Sequence, residues 1–555
     1  MNRLARRRLA DVRVPLAAPA ALLMGAVFVA VMLYRARRFM FFSDEWDFIL
    51  ESPRWRPLDY LSPHNEHWST VPRLYYQLVE AAGGVHSYVP YEAGVLVADA
   101  ACAVLLFLII RRRAGDLVGL LVAALLLGLG RGWEDVLWAF QLGFVGATAM
   151  GLLAIYLLDT PVPGRSRLLL ASGVLVGSLL FSGIALFFLL LVLVELGLDS
   201  KRRRYLVVLI APVLVYAAWY LRFGRDGTTH DRITIQGLLP LAGYVPHGAG
   251  SAAAGLLGLS PAWSAAALAG LAAAAGAALA LARGRDSRLI AAAVALIAQY
   301  TFTGLVRAQF GIDQAAASRY IFVGAVFVLL LLGQAVRYLP AGRIPALAVL
   351  LVVVLGLGNS LRFFNSQVVA WDLAAAQQVA AMQETADLQG APDLDLQALF
   401  IPSRMPDVSA GRYYDGVRRV GSAVPSAGLA DIRARQPVVF DQVLLALFAK
   451  AIRVEPAAAA TAATDRGRCL PIDPTAGYVD LSVPSGGTIG VSSEVNSAPL
   501  LVYLWSAAGP EGSPTATLLL PPGQSAIHLP DAGGQVTWQG RLVGPPYVSV
   551  CSSGR

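Results

Sequence analysis

Four carboxylates and two imidazoles lie close together in the sequence, soon after a long apolar run that ends near Tyr34. Three of the carboxylates stand in Ser43-Asp44-Glu45-Trp46-Asp47, and the fourth stands in His64-Asn65-Glu66-His67-Trp68. Helix capping explains one or two acids after Ser43, because serine caps helices and acids stabilise the first turn, but it does not explain three. Charged groups next to a long apolar run are costly to desolvate. The first segment is therefore predicted to do acid–base chemistry, with Asp44 and Asp47 on one helical face.

The second cluster leaves three interpretations open. His64, Glu66 and His67 could bind a metal, although two histidines three residues apart are not the zinc-protease signature. The cluster could instead be a polar loop with an interfacial Trp68. We favour a substrate or donor-phosphate site, in which Glu66 is a second catalytic carboxylate and Asn65 and Trp68 contact substrate. No cofactor is certain, but a divalent cation near Asp44 and Glu66 fits this pattern.

Two further groups of polar residues interrupt the apolar sequence. Trp133-Glu134-Asp135 and the later Gln141 are candidates for substrate binding, although tryptophan is also a common interfacial anchor. Arg307 and Arg319 stand in a polar link between two apolar runs, on the side of the membrane where arginine is unexpected. An anionic lipid phosphate would explain them, because arginine binds phosphate through paired donors. A salt bridge to Asp313 or to the first-loop acids is the alternative.

The composition indicates a polytopic membrane protein. Only 14% of the 555 residues are charged, whereas a soluble protein would carry about a quarter. The net charge of +8 does not indicate nucleic-acid binding, because the basic residues form short clusters between apolar runs, as in cytoplasmic loops of membrane proteins.

Eleven membrane spans are predicted from apolar runs of adequate length. An even number of crossings must separate Arg165 and Arg167 from Lys201 to Arg204, so the run between them is split at Ser182-Gly183. The same reasoning places the N-terminus in the cytoplasm and the C-terminus outside, although Arg35, Arg37 and Arg38 disagree. The segment 223–261 is read as helix-breaking at Pro246 to Gly250. The predicted spans lie near 14–34, 88–110, 116–131, 137–158, 168–182, 184–199, 205–222, 262–282, 288–306, 320–337 and 344–361.

The chain becomes more polar beyond Leu361. A helix is predicted from Trp371 to Leu388, then a mixed region, and from about Cys469 short Val, Leu, Ile and Thr runs that are typical of a β-sandwich. The predicted domains are 1–361, 362–466 and 467–555. Cys469 and Cys551 bracket the last domain and are predicted to form a disulfide outside the cell, whereas Cys102 lies in an apolar run and is predicted to pack there.

This arrangement resembles the GT-C superfamily of integral-membrane glycosyltransferases. Those enzymes have many spanning helices and an acidic motif in the first outer loop, whose aspartate is the usual catalytic base. Asp44-Glu45 stands at that place. The resemblance covers the architecture of 1–361, and it extends to the C-terminal domain because some actinobacterial relatives in cell-wall synthesis carry an outer, carbohydrate-binding-like β-domain. It implies an all-α membrane domain of about eleven helices, followed by an extracytoplasmic α+β region ending in a β-sandwich.

The resemblance also implies a reaction. A polyprenyl-phosphate sugar in a bacterial cytoplasmic membrane would be the donor, and a cell-envelope glycan, lipid or protein would be the acceptor. Asp44 would be the general base, and Glu45, Asp47 or Glu66 would orient the acceptor or bind a cation. Arg319 and Arg307, with His64 or His67 as further candidates, would bind the donor phosphate. The chain shows no nucleotide-binding motif, which fits a lipid-linked donor.

Two other functions remain open. A transporter or flippase of lipid-linked glycans would place its polar groups within spans and often shows two related halves. A non-catalytic protein of cell-envelope assembly would use the β-domain as its binding module. Replacement of Asp44 distinguishes these classes, because only an enzyme would lose turnover while keeping its fold.

Overall fold

The computed structural model describes residues 14–227, 238–338, 343–456, 469–495, 498–510, 515–534 and 536–551. Its α-helices, in chain order, are α1 (Ala17–Ala36), α2 (Glu45–Glu51), α3 (Thr70–Gly83), α4 (Val89–Leu127), α5 (Glu134–Leu137), α6 (Leu142–Leu158), α7 (Arg165–Leu179), α8 (Ala185–Leu198), α9 (Ile210–Arg222), α10 (Leu241–Gly255), α11 (Ser264–Leu281), α12 (Ser287–Arg307), α13 (Ser318–Ala335), α14 (Arg343–Asp387), α15 (Ala410–Val420), α16 (Leu429–Arg435) and α17 (Pro437–Phe448).

The strands follow the last helix. They are β1 (Arg453–Pro456), β2 (Cys469–Pro471), β3 (Tyr478–Pro484), β4 (Thr488–Ser493), β5 (Ala498–Trp505), β6 (Thr515–Leu520), β7 (Gly523–His528), β8 (Thr537–Val543) and β9 (Val548–Cys551). The chain divides into two compact units. The first contains the described residues of Met1–Phe39, Arg54–Gly83 and Ser87–Asp372, and the second contains those of Met40–Pro53, Gly84–His86 and Leu373–Arg555.

The protein is a multi-pass membrane protein. Among the described residues, eight helical segments are long and apolar enough to cross a bilayer, carried by α1, α4, α6, α9, α11, α12, α13 and α14. The predicted number of eleven is therefore not confirmed. The predicted spans 168–182 and 184–199 fall on the shorter helices α7 and α8. The predicted spans 88–110 and 116–131 both fall on α4, which contains one non-helical residue, Gly115, with φ 83°.

Helix α13 lies at the centre of the first unit. Most of its residues are buried, and it contacts α4, α10, α11 and α12. Arg319 is the second residue of this helix. The first turn of helix α12 is held by Arg288. Its buried guanidinium lies 2.7 Å from Glu195 and 3.2 Å from Asp159. Buried ion pairs of this kind fix the packing of the helices that carry them. The other end of α12 carries Arg307.

The sequence prediction of a break near Pro246 is wrong. Residues 241–255 form α10, and most of its last eight residues are buried. A Cβ atom at Gly250 would lie 2.1 Å from the backbone oxygen of Ser264, and one at Gly248 would lie 2.2 Å from the Tyr300 ring. The small residues therefore permit close helix packing rather than ending the helix.

The predicted end of a helix at Leu361 is also absent. Helix α14 continues from Arg343 to Asp387, so the predicted last span and the predicted helix Trp371–Leu388 belong to one element. The polar residues between them mark an end of the apolar sequence, but none is a proline that would interrupt the backbone hydrogen bonds.

The second unit contains α2, the later part of α14, helices α15 to α17 and a β-sandwich. One sheet has the order β1-β7-β4-β9-β2 and the other the order β3-β8-β5-β6, with antiparallel neighbours throughout. The sequence analysis starts this domain at residue 467. The first sheet also includes β1, which lies before that residue. Cys469 lies opposite Cys551 in the β2–β9 pair, and the predicted disulfide joins them. Cys102 is a buried free thiol.

Candidate active site

The acidic segment of the first loop lies in the second unit. The chain turns at Ser43, whose φ of 50° is in the left-handed region, and then enters α2. The carboxylate of Glu45 is fully buried and accepts a hydrogen bond of 2.7 Å from the backbone N–H of Phe42. Glu45 thus closes the turn that precedes the helix. A helix-capping role of this kind is what the sequence analysis allows for one of the three acids. Burial and this bond give Glu45 a structural role.

Asp47 and Glu51 lie one turn apart on α2 and share a cation. The guanidinium of Arg412, on α15, lies 2.8 Å from Asp47 and 3.2 Å from Glu51. Burial alone would lower the pKa of Arg412, but the bonds to these two carboxylates raise it overall. Sequence reasoning missed Arg412, because 365 residues separate it from Asp47 and no local pattern joins them.

Asp44 is the half-buried carboxylate at the start of α2. Its Oδ1 accepts a hydrogen bond of 3.1 Å from the hydroxyl of Ser43. Glu45 and Asp47 likewise have partners, at the turn and on Arg412. The role of Asp44 as a general base, which must reach its proton within hydrogen-bond distance, stays a prediction.

His64 and His67 close a tight hairpin in the first unit. Each backbone N–H donates to the other residue's carbonyl oxygen at 3.0 Å, and Asn65 at the tip has a φ of 51°. The His64 ring packs edge-on against the Phe140 ring, with 5.3 Å between the ring centroids. The His67 ring packs in the same way against Phe144 at 5.2 Å.

His67 is a neutral imidazole at ordinary pH. Its Nδ1 is buried and has no hydrogen-bond partner among the described residues, although part of the residue's surface is exposed. Burial lowers the pKa of His67 to about 4, against the opposing effect of Glu66. No group of three or more His, Cys, Asp or Glu side chains that could hold a metal ion occurs within the described part of the chain.

Glu66 and Trp68 are held by partners in other helices. The Arg307 guanidinium donates to both carboxylate oxygens of Glu66, at 2.9 and 3.2 Å. The ring of Trp68 is buried and stacks on Trp219 with a centroid distance of 4.9 Å, so it is not an exposed interfacial anchor. Asn65 remains exposed at the hairpin tip.

Arg319 is paired with Glu134. The Glu134 carboxylate accepts from the Arg319 backbone N–H at 3.2 Å and from its guanidinium at 3.3 Å. Ser318 completes the link, because its hydroxyl accepts from the Glu134 backbone N–H at 2.9 Å. The structure thus gives both Arg307 and Arg319 a carboxylate partner, which is the salt-bridge alternative. The partner of Arg307 is a first-loop acid, as the sequence suggested, and the partner of Arg319 is a different acid, Glu134.

Asp135, which follows Glu134, and Gln141 are both buried. Asp135 is fully buried, and neither of its carboxylate oxygens has a hydrogen-bond partner among the described residues. Burial raises the pKa of Asp135 well above its usual range, and the charge of Glu134 adds to the rise. The side-chain oxygen of Gln141 is likewise buried and without a donor in the described structure.

Sequence reasoning did not single out Arg131, which lies near an apolar cavity. Its guanidinium carbon is 3.7 Å from the centre of the Phe363 ring, and its buried Nε has no hydrogen-bond partner in the described part of the chain. Burial lowers the pKa of Arg131. Arg131 stands between Gly130 and Gly132 at the end of a predicted span, and this position is the sequence feature that could have identified it.

The cavity has a volume of about 690 Å³ and is lined by apolar residues of α4, α10, α11, α13 and α14, with Tyr338. Its lining includes Leu256 and Leu257, which directly follow Gly255. A Cβ atom at Gly255 would lie 3.2 Å from the Cβ of Arg131. An apolar cavity of this size can take a molecule with a hydrocarbon tail.

The predicted site residues fall into two sets. Asp44, Glu45 and Asp47 belong to the second unit, and the other predicted catalytic, phosphate-binding and substrate-binding residues belong to the first. Within the first unit, Glu66 meets Arg307 and Glu134 meets Arg319. The divalent cation suggested near Asp44 and Glu66 stays a prediction.

No protein-family model matches the chain, and no curated protein does. Among solved structures, a crystal structure of ArnT from Cupriavidus metallidurans bound to undecaprenyl phosphate is 14% identical, with a TM-score of 0.47, and the match covers 77% of this chain and 89% of that chain. The apo structure of the same protein is also 14% identical, with a TM-score of 0.33, and the match covers 82% and 96%. With TM-scores below 0.5, these two likenesses carry no argument about the fold or the role of this chain.

Proposed function

We propose that this protein transfers a sugar from a polyprenyl-phosphate-linked donor to a cell-envelope glycan, lipid or protein acceptor at the outer face of the membrane. The observation that carries the proposal is the apolar cavity of about 690 Å³ in the membrane unit. The Cβ of Arg131 lies close to Gly255, the residue before the lining residues Leu256 and Leu257. A lipid-linked donor needs an apolar site for its tail and a cation for its phosphate.

Asp44 is the proposed general base. It accepts the proton of an acceptor hydroxyl while the hydroxyl oxygen attacks the anomeric carbon of the sugar. The bond from that carbon to the phosphate oxygen breaks, and polyprenyl phosphate leaves with the electron pair. The single displacement inverts the anomeric centre.

Arg131, Arg307 and Arg319 are the proposed cations for the donor phosphate. Arg307 and Arg319 hold Glu66 and Glu134, so a phosphate would replace a carboxylate at either arginine. Arg131 forms no salt bridge with a described carboxylate, so a phosphate there would displace no carboxylate.

The test of this proposal is Asp44→Asn. The amide keeps the shape of the side chain but cannot accept the proton, so transfer should fall by roughly 10²–10⁴-fold. Transfer is measured with purified protein in lipid nanodiscs, a panel of polyprenyl-phosphate sugars and cell-envelope acceptors, with mass spectrometry of the product. Asp47→Asn is the matched control, because Asp47 already has a cationic partner. Retention of more than about a tenth of wild-type transfer by Asp44→Asn would exclude Asp44 as the base.

The two other functions make different predictions for the same variant. A flippase would move the lipid across vesicles without forming a new glycosidic bond, and its activity would persist in Asp44→Asn. An assembly protein would show neither activity. Product formation by the wild-type protein, lost in Asp44→Asn, supports the transferase.

We also propose that the outer face of the β3-β8-β5-β6 sheet binds the glycan acceptor. The Arg541 guanidinium carbon lies 4.0 Å from the centre of the Tyr478 ring and 5.9 Å from that of Trp505. Arg541 also forms two hydrogen bonds of 2.7 Å with Asp480. Aromatic faces beside planar polar groups suit a sugar, whose C–H faces stack and whose hydroxyls form hydrogen bonds.

Affinity electrophoresis in cell-wall polysaccharide tests this site. Trp505→Ala should weaken retention of the full-length protein, whereas Tyr547→Ala, which removes an exposed aromatic ring elsewhere in the same domain, should not. Equal retention of the two variants would exclude the sheet face as the binding site.

A further inference from the structure

The turn before Asp44 is held by two buried polar side chains from distant parts of the second unit. Gln378, on α14, donates a hydrogen bond of 2.8 Å to the carbonyl oxygen of Phe41. Arg404, in the loop between α14 and α15, donates from Nε to the Gln378 side-chain oxygen at 3.1 Å. Gln378 is fully buried and Arg404 is 6% exposed.

Arg404 also contacts the next two residues of the turn. Its guanidinium carbon lies 4.4 Å from the centre of the Phe42 ring, and its backbone oxygen accepts a hydrogen bond of 2.8 Å from the N–H of Ser43. The consecutive residues Phe41, Phe42 and Ser43 are therefore each bound to the Gln378–Arg404 pair. Such a set of bonds defines one backbone conformation for the turn.

The conformation that they define is an unusual one. Ser43 has a φ of 50°, and non-glycine residues adopt the left-handed region only where the surrounding structure imposes it. In this conformation the Ser43 hydroxyl donates to the Asp44 carboxylate at 3.1 Å. The turn therefore determines where the Asp44 carboxylate stands.

We infer that Gln378 and Arg404 are positioning residues that orient Asp44 for catalysis by fixing the Phe41–Ser43 turn. The inference rests on the proposed function, since it gives Asp44 the role of base. The contacts that carry the inference are those of Gln378 and Arg404 with the turn. Loss of either would leave the base present but misplaced, and a misplacement on the order of 1 Å can cost about a hundredfold in rate.

The test uses Gln378→Met and Arg404→Met, which keep most of the side-chain volume and remove the hydrogen bonds. Each should lower kcat by roughly tenfold to a hundredfold and leave the donor KM and the unfolding temperature close to wild type. The matched control for Gln378 is Gln383→Met. Gln383 lies on the same helix, is similarly buried and donates at 2.9 Å to the carbonyl of Pro425, away from the turn.

Ser43 provides a second pair of variants, which does not depend on the folding of the buried ones. Asparagine tolerates the left-handed region and valine does not. Ser43→Asn should therefore retain most transfer, and Ser43→Val should lose kcat as Gln378→Met does. Equal kcat in these two variants would overturn the inference.

Hydrogen exchange gives a readout that is independent of activity. In Gln378→Met and Arg404→Met, the peptide that contains the Ser43 amide should exchange faster, with peptides of the β-sandwich unchanged. If both variants show wild-type exchange and wild-type kcat and Asp44→Asn is inactive, the inference is overturned and the proposed function stands. Full activity of Asp44→Asn would instead refute the proposed function.

Discussion

Arginines paired with distant carboxylates account for much of the candidate site at the scale of single residues. Arg307 bonds to Glu66 across 241 residues of sequence, and Arg319 bonds to Glu134 across 185. The sequence indicates that a cation on the outer side needs an anionic partner, because it opposes the usual charge bias. The sequence names the first-loop acids and Asp313 as possible partners, and the fold brings the first-loop acid Glu66 to Arg307 but Glu134, which is not among them, to Arg319.

Arg319→Lys is predicted to raise the donor KM, and Arg319→Ala to raise it further. Arginine can hold a phosphate through two parallel hydrogen bonds that lysine cannot reproduce. Initial rates over a range of donor concentrations measure the effect. Glu134→Gln is the control, since it removes the charge of the partner and keeps the arginine. Normal donor use by both Arg319 variants, together with a raised KM in Arg131→Lys, would assign the phosphate to Arg131.

Asp135→Asn is predicted to stabilise the protein at pH 8 and to have little effect near pH 4. Burial raises the pKa of Asp135, so the native state keeps a proton that the unfolded state releases above about pH 4. The carboxyl therefore costs stability as pH rises, and an amide does not. Unfolding temperatures of both proteins in detergent at the two pH values measure the difference. A difference that does not change with pH would mean that Asp135 is ionised in the folded protein.

At the scale of elements, apolar runs locate helices well and their ends less well. Every predicted span coincides with a helix of the structure, but the run that ends near Leu361 continues into α14, because a change in polarity does not interrupt a helical backbone. The sequence predicts that the glycines of α10 break the helix, but they are packing contacts, with Gly250 against Ser264. Short Val, Leu, Ile and Thr runs broken by turn residues predict the sandwich, and buried residues alternate with less buried ones in β4 and β5 of the structure.

Removal of the Cys469–Cys551 disulfide is predicted to destabilise the β-domain. The bond closes a loop of 82 residues, which the chain-entropy model values at roughly 4–5 kcal/mol. Thermal unfolding of Cys469→Ser/Cys551→Ser, followed by limited proteolysis, should show earlier loss of the domain. Cys102→Ala is the control for general effects of cysteine removal, since Cys102 is a free thiol outside this domain. Equal resistance of the double variant and the wild type would contradict the prediction.

At the scale of the whole molecule, the basic clusters predict the orientation in the membrane. The structure confirms several spanning helices and leaves the sidedness of each loop as a prediction. Among the dissenting cations, Arg38 lies 4.0 Å from Asp372, and Arg37 lies over the Tyr34 ring. Local partners of this kind would allow arginine at a helix end that is predicted to lie outside, despite the usual excess of arginine in cytoplasmic loops.

Impermeant thiol labelling tests this orientation. Asn65→Cys and Ser426→Cys should react in intact cells, and Ser166→Cys should react only after the inner face is opened. All three positions are exposed, so access depends on the side of the membrane. The native cysteines contribute little background, because one is buried and two are in a disulfide. Labelling of Ser166→Cys in intact cells would refute the predicted parity.

The bond between Asp47 and Arg412 has a consequence for how the protein is made. The two residues are 365 positions apart, and a ribosome adds about 5–20 residues per second. The acidic helix α2 therefore leaves the ribosome roughly 20 to 70 seconds before its cation exists. During that interval Asp47 and Glu51 face the translocation machinery before Arg412 has been added to the chain. Slow codons between Asp47 and Arg412 would lengthen the interval.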